Sequence, residues 1–99
     1  SIPDIGAMKL NAIANSGQRL KDFIDIYHIL GFYPLRTLLE AYEIKYPYSN
    51  VIIPVKAAAY FEDIDFKADV PITKNPVSWS AIQKRILTAI ANPDKVFGK

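Results

Sequence analysis

Prolines and glycines punctuate this chain at intervals that suit helices and little else. Gly17, Gly31, Pro34, Pro47, Pro54, Pro71, Pro76, Pro93 and Gly98 divide its 99 residues into short pieces. Glycine ends a helix in a left-handed cap, and proline removes a backbone donor and blocks the turn before it. Between these stops apolar residues recur three and four apart, the period of a helix with one buried face. No repeat and no low-complexity segment interrupts the pattern. The spacing predicts a single all-α domain over residues 1–99, a small five-helix bundle with little or no sheet.

The predicted helices cover residues 2–15, 18–30, 34–45, 54–61 and 78–91. In the first, Pro3 suits the opening turn and Asp4 sits at the positive end of the helix dipole. Ile2, Ile5, Ala12 and Ile13 fall on one face, and Ser16-Gly17 supplies the stop. The second carries Leu20, Phe23, Ile26, Tyr27 and Leu30, and the third Leu35, Leu38, Leu39, Tyr42 and Tyr46. Val51-Ile52-Ile53 has strand propensity, but Pro54 forbids a central strand, so a helix starting near Pro54 with an irregular lead-in is expected. Ser78 is the expected cap of the fifth helix. Its stripe is Trp79, Ile82, Ile86, Ala89 and Ile90, with Gln83, Lys84 and Arg85 facing away. A long loop is expected over 62–76, and fraying from Asp94 to Lys99.

Composition excludes several classes of function. There is no cysteine, so disulfides, thiolate metal sites and a cysteine nucleophile are ruled out, and with one histidine a zinc site is not expected. Twelve basic against ten acidic residues give +2. That is too small to imply nucleic acid, even though Lys84, Arg85, Lys95 and Lys99 cluster late in the chain. Apolar runs are too short to span a membrane, and no secretory signal pattern opens the chain. No phosphate-cradling glycine loop, Ser-His-Asp order or metalloprotease helix is present.

What remains is a charged seam between the first two helices. On a helical wheel Lys9 falls between Ile5 and Ile13, so its amine must either reach water along its methylenes or meet an acid. Asp22 and Asp25, three residues apart, emerge on one flank of the second helix beside Ile26 and Ile29. Two such carboxylates can hold a cation, share a proton, or pair with Lys9, Arg19 or Lys21. Asp63-Ile64-Asp65 has the form of a two-metal pair but lacks a Gly-Ser turn before it, and His28 has no nucleophile near it in sequence.

The stretch from Asp4 to Tyr27, DIGAMKLNAIANSGQRLKDFIDIY, resembles the AbiEii/AbiGii-type nucleotidyltransferase toxins of abortive-infection and toxin–antitoxin systems. That family carries a lysine in a DIxxMKLxAI helix, a basic glycine-containing turn, then KDxxDIYxLL. Lys9, Gly17, Lys21, Asp22, Asp25 and Tyr27 match in kind and order. Ala59-Tyr60-Phe61-Glu62-Asp63 and the helix led by Trp79 extend the likeness over most of the chain.

The resemblance implies that these residues are the C-terminal helical part of a cytoplasmic bacterial nucleotidyltransferase. Lys9, Asp22 and Asp25 would then belong to the catalytic set. Lys9 would contact nucleotide phosphates with Arg19 and Lys21 nearby, and one aspartate would serve as base. The family has an arginine in the turn where Ser16 stands. The nucleotide-binding half, with its Gly-Ser turn and metal-binding acids, is not in these 99 residues. The chain is therefore expected to be a fragment or a truncated reading frame, inactive alone and without a metal or cofactor of its own. Magnesium and a nucleoside triphosphate enter only with the missing half. The expected partners are that half, an antitoxin, or a second copy; the alternative reading is a non-catalytic interaction or dimerisation module.

Overall fold

Ser1 opens the first helix by accepting the Asp4 N–H on its hydroxyl at 3.3 Å, which satisfies one of the donors every helix start leaves free. In the computed structural model, which describes residues 1–67 and 77–98, five helices follow: α1 (Ile2–Asn15), α2 (Leu20–Ile29), α3 (Leu35–Lys45), α4 (Ile52–Ala58) and α5 (Trp79–Ala91). The protein is a small all-α bundle. α1 is central, packed against α2, α3 and α4, and α5 lies along α2.

The buried face of α1 is Gly6, Ala7, Leu10 and Ile13. This corrects the stripe expected through Ile2 and Ile5, which are 47% and 44% exposed. The reason is close approach. A Cβ on Gly6 would stand 2.6 Å from a methyl of the wholly buried Leu38, so α3 crosses α1 where side chains are smallest. A one-residue rotation of the stripe moves Lys9 from its centre to its border.

α4 begins at Ile52, two residues before the expected start, and ends at Ala58 rather than 61. Pro54 is tolerated because it lies in the first turn, where its missing N–H has no helical partner to lose. The Asn50 side chain accepts the Ile52 N–H at 2.9 Å. Beyond α4 the chain makes a turn that places Ile64 in the core, and Asp65 donates its N–H to the Gln18 carbonyl at 2.8 Å. Residues 62–67 of the expected loop are thus turns tied to the α1–α2 junction. Positions 68–76 of that loop lie outside the described residues.

The segment after α5 does not fray. Pro93 gives its carbonyl to the Arg36 N–H at 2.9 Å, supplying the uncapped start of α3. Asp94 forms a two-pronged ion pair with the Arg36 guanidinium. The Phe97 N–H donates to the Leu30 carbonyl at 3.1 Å, at the end of α2. Gly31 leaves room for this docking, since a Cβ there would stand 2.5 Å from the Gly98 carbonyl oxygen. Gly31→Ala is therefore expected to lever the tail away at about 1–3 kcal/mol, the usual range for overpacking. Hydrogen exchange at the Phe97 amide reads this directly, and unchanged protection would contradict the docking role.

Candidate functional site

The seam forms where α1 and α2 run side by side. The Lys9 ammonium lies 2.9 Å from Asp25 Oδ2 and 3.6 Å from Asp22 Oδ1. The glycine turn that reverses the chain brings them together: Gly17 takes φ +66°, the left-handed conformation that glycine accepts without strain. Arg19 is the last residue before α2, and its Nε stands 4.0 Å from Asp22 Oδ2 with the side chain largely in water. Lys21, two residues further, points outward and forms no ion pair among the described residues.

Burial divides the two acids. Asp22 is 2% exposed and Asp25 keeps part of its surface in solvent. Asp22 also lies in the first turn of α2, where the helix dipole favours negative charge. Even so, its Oδ1 atom is buried with no hydrogen-bond partner among the described residues. An unpaired buried acceptor is rare, because it carries the desolvation penalty without the compensating bond. The Lys9 ammonium is attracted to it but sits beyond hydrogen-bond distance, drawn to Asp25. That hydrogen bond to Asp25 is the main reason the Lys9 pKa is raised above its ordinary value. Burial opposes the shift, and the charges of Asp25 and Asp22 add to it.

The structure thus brings Lys9, Asp22 and Asp25 into one cluster, puts Arg19 at its margin and leaves Lys21 outside. Chemically, the cluster offers a held ammonium and a carboxylate oxygen with a free lone pair. Among the described residues no group of three metal-ligating side chains occurs, and Asp63 and Asp65 are both exposed. The Asp65 carboxylate accepts the Lys67 N–H in a local turn. His28 is on the surface, its ring set edge-to-face against Tyr27. No helix among the described residues is long and apolar enough to cross a membrane.

On the opposite flank of α2 lies a groove that helical periodicity alone does not signal. Arg85 was expected to face away; instead its guanidinium carbon lies 3.8 Å from the Tyr27 ring centroid. The available signal was spacing: Lys84 and Thr88 are one helical turn apart, with Phe97 close behind in sequence.

No protein-family model matches this chain, and neither the curated proteins nor the solved structures searched yield a match.

Proposed function

We propose that this chain is the helical part of a nucleotidyltransferase-like toxin, contributing Lys9, Asp22 and Asp25 to an active site whose metal-binding half lies elsewhere. One observation carries the reading: the buried Asp22 oxygen that lacks a partner beside a held lysine. A purely structural ion pair gains by satisfying both carboxylate oxygens. An acid that must accept a proton or a cation during a reaction needs one left free.

In this reading Lys9 meets the nucleotide phosphates, Asp25 holds the ammonium in place until they arrive, and one of the two aspartates serves as base. Positive charge at the phosphates and an acid near the nucleophile are what phosphoryl and nucleotidyl transfer require. Arg19 is placed to add a second cation, and Lys21 would act only in steering. Two carboxylates, one already bound to lysine, do not make a magnesium site, which calls for several oxygen ligands in octahedral order. The metal and the nucleoside triphosphate therefore belong with the missing half, and an antitoxin and a cytoplasmic setting belong to the same proposal.

The purified 99 residues are expected to transfer no nucleotide from any of the four triphosphates with Mg²⁺. The DNA upstream of Ser1 is expected to encode, in frame, a Gly-Ser turn and an Asp-x-Asp pair. The protein made from that longer frame is expected to transfer nucleotide, and Lys9→Met in it to lower the rate roughly 10²–10³-fold, as for loss of one preorganised electrostatic contact. Labelling by the short chain alone, or a longer frame lacking such a half, would refute the reading.

A second reading, a dimerisation module, is favoured by apolar side chains left in water around the α3–α4 connection. Ile44 is 83% exposed, Tyr48 is fully exposed, and Ile52 and Ile53 are half-exposed. Light scattering is expected to show association that Ile44→Asp weakens. A strict monomer at high concentration would remove this reading.

A further inference from the structure

The groove on the far flank of α2 is bounded by Tyr27, Lys84, Arg85, Thr88, Lys95 and Phe97 and has a volume of about 310 Å³. It is independent of the Lys9 seam, since Tyr27 and Asp25 project from opposite sides of α2. Three of its lining residues are cationic, and no acid among the described residues lines it. The nearest acid in sequence, Asp94, is committed to Arg36 on α3. Arg85 is fixed in place: it stacks on Tyr27, lies 5.2 Å from the Phe97 ring centroid and donates to the Tyr27 carbonyl at 3.0 Å. A guanidinium has five N–H donors, so one such bond leaves most of them free. The Lys95 ammonium stands 5.4 Å from the centroid of Phe97.

A chain with a charge of only +2 thus gathers three positive groups around one concavity, against their mutual repulsion. That arrangement favours a compact anion. The walls are not purely polar, however. Two aromatic rings, a guanidinium plane and a threonine hydroxyl match a flat ring attached to the anion, because arginine planes and aromatic faces both stack on planar groups. The volume, close to the lower limit of about 300 Å³ for ligand pockets, limits the occupant to a small molecule.

We propose that this groove binds a small phosphate monoester bearing a flat ring, of the nucleoside monophosphate class. Lys84 and Lys95 bind the phosphate, Arg85 lies between phosphate and ring, and Phe97 packs against the ring. Docking of the tail against Leu30 assembles the site, since Lys95 and Phe97 reach it only when the tail is seated.

The test is an amide NMR titration of the full chain with AMP, adenosine and inorganic phosphate. AMP is expected to shift the amides of Lys84, Arg85, Thr88 and Phe97 saturably. Adenosine and phosphate are expected to act on the same amides at least about tenfold more weakly, each lacking one half of the recognised chemistry. Lys84→Gln with Lys95→Gln, at unchanged helicity, is expected to weaken AMP by at least about tenfold. Phe97→Leu is expected to weaken AMP but not phosphate. Four outcomes overturn the proposal: no saturable shift with AMP, AMP shifts that map to α1 instead, an affinity untouched by the double lysine variant, or phosphate binding as tightly as AMP.

Discussion

Lys9→Met is expected to destabilise the fold by about 2–3 kcal/mol. Removing one member of a buried ion pair typically costs about 3–5 kcal/mol, because the surviving charge is stranded in a poor solvent. The lower figure applies because the Lys9 side chain is 24% exposed and Asp25 can turn to water. Asp22, at 2% exposure, cannot. Lys9→Met combined with Asp22→Leu is therefore expected to recover most of the loss, since apolar replacement of both partners is often neutral.

The pH dependence has a definite sign. The Lys9 pKa is raised on folding, mainly by the Asp25 hydrogen bond. A raised lysine contributes stability in full below its unfolded value, and that stability disappears as pH climbs through the folded value. The gap between wild type and Lys9→Met should hold near neutrality and narrow above 10.5, the ordinary lysine value. Urea unfolding at several pH values measures it. A gap that is negligible at pH 7, or that widens in alkali, would show that the ammonium does not compensate Asp22.

Phe23→Ala is expected to have the largest effect of all, about 3–5 kcal/mol, the usual range for emptying an aromatic core position. Phe23 is fully buried. Its ring meets Phe61 edge-on at 5.9 Å and Trp79 at 6.2 Å, and those two meet each other at 5.2 Å. One ring thus joins α2 to the turn after α4 and to the start of α5. Domains of this kind hold only about 5–15 kcal/mol in total, so the variant should be partly unfolded near physiological temperature. Phe66→Ala is the control. Phe66 also touches Trp79 edge-on, but it is half-exposed, and its loss is expected to cost less than about 1 kcal/mol. Equal denaturation midpoints for the two variants would sink the argument that Phe23 is the keystone.

The helices were legible because their stops are local chemistry. Gly17, Pro34, Pro47 and Pro93 act through their own backbones, and the expected bounds of α1, α3 and α5 agree with the structure to within a residue. The pairing of Lys9 with Asp25 and Asp22 was one of the alternatives left open by their spacing, and two short-linked helices made it reachable. Which acid would be buried was not legible. Asp22 and Asp25 have the same side chain on the same flank, and only the rotation of α2 against its neighbours separates them. The basic groove escaped for a similar reason: Lys95 and Phe97 looked like a frayed end until the backbone bond to Leu30 placed them beside α5.

The sequence alone determined that the chain folds as five helices, the stops of α1, α3 and α5, and that a lysine and two acids would fall on adjoining helices, because periodicity and backbone restriction act within a few residues. The tertiary structure decided which face of α1 is buried, which aspartate loses its water and where the tail comes to rest. Those outcomes depend on how closely two backbones can approach, as Gly6 permits against Leu38 and Gly31 against Gly98, and such distances exist only after the chain has folded.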